Sequence, residues 1–251
     1  MAASPGVLII GLDAATQPQK TGLARGWCED GRAQVSHARV GSSAEDLEAQ
    51  LLSWVQEAPG PVLFAVDAPL GWPAALGPAL AGHRAGEALA EEADTLFRRR
   101  TDRFVQARHR KRPLDVGADR IARTARSALA LLDAVRHQTG QALPLAWTPG
   151  VRETAAIEAY PAATLRAWGV TPGRYKAERE ARETLVDALV SRELVVFAEE
   201  QARAGATATD HGLDAVLCIL AGCDFLQGRC DPPPDDDEVR REGWIWVREP
   251  G

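Results

Sequence analysis

Four acidic residues lie in apolar stretches of the sequence, where an unpaired carboxylate would be costly to bury. Asp13 and Asp67 each end an apolar run typical of a buried strand, in the segments VLIIGLD and VLFAVD. Glu158 lies in the apolar segment AIEAY, and Asp214 lies in the helix-like segment GLDAVLCILAG. Carboxylates are rarely buried unless they are paired or bound to metal, and strand ends in an α/β sheet line ligand-binding crevices. The order of these residues therefore predicts that their side chains converge on one crevice.

Carboxylates gathered in one place predict a divalent metal site. Like charges raise one another's pKa values and resist ionisation, and a hard cation with oxygen ligands, Mg²⁺ or Mn²⁺, reverses that cost. Two such ions about 3.5–4 Å apart can activate a water molecule and stabilise the leaving oxygen of a phosphodiester. Asp13, Asp67, Glu158 and Asp214 are thus the predicted metal ligands and catalytic residues.

Each of these residues also has a purely structural interpretation. Asp13 and Asp67 could form Asx turns with the residues that follow them, Glu158 could face solvent on an edge strand, and Asp214 could lie on the rim of its helix. Asp210 stands at the start of the same helix, where an N-cap is its simplest role. Because Asp210 precedes Asp214 by four residues, the two could share one helix face, and Asp210 is a further candidate metal ligand.

The charge of the chain is unevenly distributed. The formal net charge is −6, yet residues 98–112 read RRRTDRFVQARHRKR and contain eight Lys or Arg residues and one acidic residue. Such asymmetry points to a polyanionic partner, and a solvated helix face is the alternative. The predicted nucleic-acid-binding residues are Arg98, Arg99, Arg100, Arg103, Arg108, Arg110, Lys111 and Arg112. The last four precede a proline and are expected in an exposed loop beside the carboxylate crevice.

Hydrophobic periodicity and turn signals predict the strands that position these residues. Strands are expected at residues 7–12, 22–28, 34–40, 62–66 and 155–159. The sequence Glu29-Asp30-Gly31 is a hairpin turn signal between the second and third of them. Antiparallel strands followed by strand–helix–strand units predict an α/β protein whose mixed sheet carries helices on both faces.

Helices are expected between and after these strands. One begins after the capping residue Ser43 and runs to about Glu57, a second spans 119–135, and helices dominate from residue 161 to about residue 227. The segment DPPPDDD at 231–237 is expected to be a polar linker. The apolar segment GWIWV at 243–247 is expected to pack back as a strand or an extended cover.

Composition excludes several other classes. The four cysteines form no C-x-x-C pair and have no suitably placed histidine, so a zinc site is excluded and small buried apolar side chains are expected. No stretch approaches the roughly 20 apolar residues that span a membrane. The first apolar run has no basic lead and ends in Asp13, so it is interpreted as a strand and not as a signal peptide. A cytoplasmic location is expected.

Six segments of the sequence resemble a known family. They are GLDAA at 11–15, VDAPLG at 66–71, FRRRTDR at 97–103, IEAYPA at 157–162, HGLDAVLC at 211–218 and EGWIWV at 242–247. The order of the acidic residues resembles the ribonuclease H-like superfamily, which includes the Holliday-junction resolvases. The six segments together more closely resemble the domain of unknown function 429 family, a group of predicted nucleases of that fold.

The resemblance implies a ribonuclease H-like fold, a metal site at the four carboxylates and metal-dependent nuclease activity on nucleic acid. Arg100, Asp102 and Arg103 match an arginine–aspartate motif of the family, and the segment YKAERE makes Lys176 a candidate for a catalytic contact to phosphate. The basic stretch HRKRPL at 109–114 departs from that motif. The implied organisation is a single domain over 1–251, with a helical, partly basic insert at about 72–140 and an apolar C-terminal strand at about 243–248.

Two other functions remain open from the sequence. GLDAAT at 11–16 faintly resembles the phosphate loop of actin-like and sugar-kinase-like phosphotransferases, but those proteins resemble two copies of this fold and the sequence offers one set of strands. The other alternative is an inactive nucleic-acid-binding protein, which would bind equally well with or without Mg²⁺ or Mn²⁺ and leave its ligand uncut.

Overall fold

The computed structural model describes residues 6–117 and 119–250, and for residue 119 the backbone only. Within this part of the chain, six strands form one mixed sheet in the order β5-β4-β1-β2-β3-β6. The strands are β1 (Leu8–Asp13), β2 (Gly22–Glu29), β3 (Arg32–Val40), β4 (Val62–Asp67), β5 (Ala155–Glu158) and β6 (Val195–Phe197). The pairs β1–β2 and β2–β3 are antiparallel, whereas β4, β5 and β6 join the sheet in parallel.

The β2–β3 hairpin forms where the turn signal predicted it. Asp30 and Gly31 both have positive φ, 50° and 82°, as a two-residue type I′ turn requires. The five predicted strands are present, each with its ends within two residues of those expected. Strand β6 was not predicted, because its three residues lie within a region of helical periodicity.

Ten α-helices surround the sheet in the described residues. They are α1 (Ala44–Glu57), α2 (Leu76–Ala81), α3 (Ala93–Phe97), α4 (Arg100–His109), α5 (Asp119–Thr139), α6 (Pro161–Ala167), α7 (Arg179–Ser191), α8 (Glu200–Ala208), α9 (Asp210–Leu226) and α10 (Asp237–Glu242). Ser43 caps α1 as predicted, since its side chain accepts a hydrogen bond from the backbone N–H of Asp46 at 3.2 Å.

The helices divide between the two faces of the sheet, which confirms the predicted mixed α/β arrangement. On one face, α1 and α5 cover alternate residues of β1 and β4, including Ile10 and Phe64. On the other face, α7, α8 and α9 cover the intervening residues, including Ile9 and Ala65. Helix α9 is buried on every side from Gly212 to Phe225, which explains its almost continuous apolar sequence. No helix in the described residues combines the length and apolar character needed to cross a membrane.

The C-terminal segment packs back onto the sheet. The expected linker at 231–237 has no regular structure up to Asp236, which caps a short helix, α10, that begins at Asp237. The following residues are buried from Trp244 to Val247 and form single bridges from Ile245 to Glu158 and from Arg248 to Cys230. The segment is therefore an extended cover rather than a strand with a continuous ladder.

Helix α9 lies in direct contact with β1 because Gly11 has no side chain. A Cβ atom at Gly11 would lie 2.0 Å from the carbonyl oxygen of Ala215. This approach brings the first turns of α9 over the carboxyl end of β1, and Asp214 over Asp13.

We predict that Gly11→Ala lowers the free energy of unfolding by about 1–3 kcal/mol, because α9 must move away from β1. Urea unfolding followed by circular dichroism would measure the change. Gly77→Ala in α2 is the control, since its Cβ would meet no atom within 4 Å, and it should be neutral or stabilising by up to about 1 kcal/mol. Equal effects of the two substitutions would contradict the close contact.

Candidate functional site

Strand pairing places two of the predicted carboxylates side by side. In the parallel pair β1–β4, Asp13 lies directly opposite Asp67 in the last register position, so both side chains leave the same face at the same edge of the sheet. Helix α9 covers that face and contributes Asp214. One ligand atom from each of the three residues lies within 4.8 Å of the others. Asp13, Asp67 and Asp214 are called the carboxylate trio below.

The three carboxylates differ in the partners that they have within the protein. Asp214 accepts hydrogen bonds of 2.8 Å from the hydroxyl of Tyr175 and from Nζ of Lys176. Asp13 lies 2.6 Å from Nδ1 of His211. Asp67 has no hydrogen-bond or ion-pair partner among the described residues. The trio therefore carries more negative charge than its neighbours neutralise.

Burial, with a smaller contribution from neighbouring carboxylates, raises the pKa of each member of the trio. Burial raises the pKa of Asp13 to about 6, although the hydrogen bond with His211 opposes the shift. Burial, followed by the charges of Asp13 and Asp214, raises the pKa of Asp67 well above its usual range. Burial also raises the pKa of Asp214, against the effects of Lys176 and Tyr175. The pKa of His211 is raised as well, because its hydrogen bond to Asp13 stabilises the protonated ring.

The trio meets the requirements of a divalent cation site. All its donors are carboxylate oxygens, which suit Mg²⁺ or Mn²⁺, and they are already close enough to share one ion. No hydrogen-bond donor or cation of the described residues engages the carboxylate oxygens of Asp67, so a bound cation would supply the missing positive charge.

Glu158, the fourth predicted ligand, is bound elsewhere. Its two carboxylate oxygens accept hydrogen bonds of 2.6 and 2.8 Å from the guanidinium of Arg99, and the backbone N–H of Leu70 donates a third at 3.0 Å. The structure thus brings together three of the four predicted carboxylates. The apolar setting of Glu158 reflects this buried ion pair, whose other half lies 59 residues away in the sequence.

Asp210 also lies outside the trio. The residue that caps α9 is Thr209, whose side chain accepts a hydrogen bond of 3.0 Å from the backbone N–H of Gly212. The prediction that Asp210 is the N-cap of α9 is therefore wrong, because its neighbour Thr209 has that role. The carboxylate of Asp210 is 3.9 Å from Nε2 of His211, and its negative charge contributes to the raised pKa of Asp214.

A cleft of about 450 Å³ opens over Asp13 and Asp67 of the trio. Glu158 and Lys176 also line it, and so do residues 111–114. We call residues 110–114 the basic loop. The hydroxyl of Tyr160, which also lines the cleft, donates a hydrogen bond of 3.2 Å to the backbone carbonyl of Arg112. The basic loop therefore lies beside the carboxylates and is tied to the wall of the cleft.

The predicted nucleic-acid-binding residues occupy different environments. Lys111 and Arg112 line the cleft, and Arg110 is exposed at the C-terminus of α4 with φ of 51°. Arg108 is half exposed and lies 3.4 Å from Asp231. Of these four, Lys111 and Arg112 are therefore the two that line the cleft.

The arginines at the start of the basic segment are engaged within the protein. Arg98 is buried and pairs with Asp94 and Asp115. Arg100 pairs with Asp236, and Arg103 is exposed but donates to the carbonyl of Arg98 at 2.8 Å. Arg99 is 1% exposed and belongs to the Glu158 pair, because that carboxylate needs a buried cation. Arg112 also lies 3.6 Å from Asp115, but its side chain is 59% exposed. Arg98 and Arg99 are thus the buried arginines of the segment, whereas Arg103, Arg108 and the cations of the basic loop are accessible.

Two residues of the site were not predicted. His211 precedes Asp214 by three residues on the same helix, so the helical spacing could have indicated that it shares the face that contacts Asp13. Tyr175 adjoins Lys176, and nothing in its spacing indicated that its hydroxyl would reach Asp214.

The fold and site together define an α/β protein with an acidic cleft at the carboxyl edge of a mixed sheet. Residues 11–239 match the model of the family described as "Protein of unknown function (DUF429)", and the chain belongs to this family. The resemblance to this family that its motifs carry is thereby confirmed, and the sheet is mixed with helices on both faces, as predicted.

The comparisons with individual proteins give a distant structural similarity. No curated protein matches the sequence. Among solved structures, the chain is similar to the yeast mitochondrial Holliday junction resolvase Ydc2, with 11% sequence identity and a TM-score of 0.43. The match covers 89% of this chain and 80% of the resolvase chain.

We predict an inverted pH dependence of stability in the metal-free protein. A carboxyl group whose pKa is raised by folding contributes stability that is fully present below its unfolded pKa and is lost as the pH rises through its folded pKa. For Asp13 these values are 3.8 and about 6, and the pKa of Asp67 rises in the same direction. Asp67→Asn should therefore be more stable than the parent at about pH 8, and the difference should vanish near pH 4.

Thermal unfolding in EDTA across this pH range measures the difference. Each kcal/mol of repulsion removed should raise the melting temperature by roughly 2–4 °C. Asp235→Asn is the matched control, because that side chain is 99% exposed and its loss should change little at any pH. A destabilised Asp67→Asn protein at about pH 8 would contradict the assignment of uncompensated charge.

Proposed function

We propose that this protein is a divalent-metal-dependent nuclease that hydrolyses phosphodiester bonds in nucleic acid. The observation that carries the proposal is the convergence of the carboxylate trio at a cleft that Lys111, Arg112 and Lys176 also line. A phosphodiester backbone combines the two groups that such a cleft complements: anionic oxygens for a bound cation, and a repeating charge for Lys and Arg side chains.

Asp13, Asp67 and Asp214 would hold the cation, Mg²⁺ or Mn²⁺. When bound, the cation supplies Lewis acidity and lowers the pKa of a coordinated water molecule. The role of the protein is to present the three carboxylates on the rigid end of a parallel strand pair and one buried helix, so that no loop has to be ordered before binding.

Lys176 is placed to contact a phosphate. Its Nζ is held 2.8 Å from Asp214, and its side chain is 60% exposed at the cleft. Burial would lower the pKa of Lys176, but the attraction of Asp214 outweighs that effect and raises it, so the amine stays protonated. A cationic amine at this position can stabilise negative charge that develops on a phosphate oxygen.

The basic loop would guide the nucleic-acid backbone toward the trio. Lys111 and Arg112 line the same cleft as Asp13 and Asp67, and an arginine guanidinium can meet two phosphate oxygens at once. Arg108 and Arg110 extend the positive surface beyond the rim. Because these contacts involve phosphates and not bases, they favour binding without sequence preference.

We predict that the protein cleaves labelled oligonucleotides in Mg²⁺ or Mn²⁺ and not in EDTA. Asp67→Asn should lower cleavage by about 10³-fold or more, since loss of a ligand removes several kcal/mol of transition-state stabilisation. Asp235→Asn should cleave like the parent. A panel of single-stranded, duplex and branched DNA and RNA identifies the substrate. Binding without cleavage of any member, unchanged by metal, would instead identify a nucleic-acid-binding protein.

We also predict that Lys111→Ala with Arg112→Ala weakens nucleic-acid binding for all sequences and lowers the slope of log Kd against log salt. Each phosphate contact contributes about 0.9 to that slope on duplex DNA, so the slope should fall by roughly 1–2. Fluorescence anisotropy in EDTA measures binding apart from cleavage.

Arg32→Ala with Arg152→Ala is the matched control for charge. Arg32 begins β3 at the hairpin end, and Arg152 lies in a separate recess beside Pro61, so both are at the opposite edge of the sheet from the trio. If the two double variants bind equally well at low salt, the basic loop is only a solvated surface.

A further inference from the structure

The guanidinium of Arg99 uses every donor that it has within the protein. Nε donates to Asp102 at 3.2 Å, and the remaining four N–H groups donate to Asp102 at 2.9 Å, to Glu158 at 2.6 and 2.8 Å, and to the carbonyl of Glu242 at 3.2 Å. An arginine side chain offers five such donors. Arg99 therefore has no free N–H for a ligand, and any loss of Glu158 would leave two buried donors unpaired.

Strand register separates Glu158 from the carboxylate trio. Glu158 lies opposite Val66 in the parallel β4–β5 pair, one position before Asp67. Because side chains alternate along a strand, Glu158 leaves the sheet on the face of Val66, under α1 and α5, whereas Asp67 leaves on the face of α9. The core packing agrees with this alternation: Ala156 packs with Val66, and Ile157 packs with Ala65 and the residues of α9.

The two groups of acids are compensated in different ways. Glu158 and Asp102 share the buried charge of Arg99, at 4% and 1% side-chain exposure. The trio opens to the cleft and has an unpartnered member, Asp67. A buried ion pair that satisfies its hydrogen bonds is costly to break, because the partner is left as an uncompensated charge. Glu158 is thus held away from any cation at the trio, even though both line the same cleft.

We propose that the metal centre is a three-carboxylate site that holds one divalent cation in the free protein, and that Arg99 gives Glu158 the positive charge that a second cation would otherwise provide. This inference rests on the proposed function, since it assumes that the trio binds metal. It assigns the second arginine of the family motif FRRRTDR a role inside the protein. It also removes Glu158 from the ligands.

Manganese binding to the full-length protein tests the inference without any measurement of cleavage. Room-temperature electron paramagnetic resonance reports free Mn²⁺, so a titration gives both the number of bound ions and the Kd. Glu158→Gln and Asp67→Asn are a matched pair, because each replaces a carboxylate at the cleft by an amide. Melting temperature in EDTA is the second readout.

We expect Glu158→Gln and Asp67→Asn to differ both in Mn²⁺ affinity and in melting temperature. The parent should bind one Mn²⁺. Glu158→Gln should bind one Mn²⁺ with a Kd within about threefold of the parent but melt at a lower temperature, since Arg99 loses a charged partner. Asp67→Asn should weaken Mn²⁺ binding by at least about tenfold and should not melt at a lower temperature than the parent at about pH 8.

Other results distinguish the failure of this inference from the failure of the metal centre. Two ions in the parent, or a loss of affinity in Glu158→Gln as large as that in Asp67→Asn, would overturn the inference and leave the metal centre standing. No bound Mn²⁺ in the parent would overturn both. If Glu158→Gln does not fold, Arg99→Lys is the second test. This variant keeps the positive charge beside Glu158, so its Kd for Mn²⁺ should equal that of the parent. A tenfold change in that Kd in either direction refutes the inference.

Discussion

The parallel, in-register pairing of β1 with β4 is the constraint on which the rest of the site depends. This pairing fixes Asp13 beside Asp67 at one edge and on one face of the sheet, and Gly11 lets α9 approach closely enough to add Asp214. The fold therefore concentrates negative charge by backbone geometry alone. Side chains cannot relax this repulsion by moving apart, because each one leaves a strand end or a buried helix.

The surrounding residues relieve the repulsion only in part. Lys176 and Tyr175 satisfy Asp214, and His211 satisfies one oxygen of Asp13, while Asp67 is left without a partner in the described chain. The contrast with Glu158 is informative, because the same protein provides a complete set of hydrogen bonds for that carboxylate. The uncompensated negative charge is consequently confined to the trio. A bound cation would neutralise it.

Much of this arrangement could be predicted from the sequence, because burial leaves a local signature. The strands of the sheet and the positions of Asp13, Asp67 and Asp214 follow from apolar runs and from where those runs end. What could not be predicted depends on contacts between distant segments. An apolar setting shows that Glu158 is buried, but not whether a metal or an arginine compensates it. Likewise, β6 is held by its pairing with β3, and three residues carry too little pattern to reveal it.

The cleft stays open because its cationic side is held by buried polar contacts. Without restraint, the basic loop would be attracted onto the trio and would neutralise it. Helix α4, which leads into the loop, is fixed at its start by the pair of Arg99 with Glu158. It is fixed at its end by His109, which lies 3.0 Å from the carboxylate of Asp231.

The loop itself is tied through its backbone by Tyr160, two residues after Glu158. These anchors keep the basic loop from closing onto the carboxylate trio. A metal ion could then bind at the trio while a phosphate backbone contacts the loop. In this arrangement, Glu158 contributes to the site by fixing the geometry of the cleft. Its two oxygens are engaged by Arg99, which it shares with Asp102, and by the backbone N–H of Leu70.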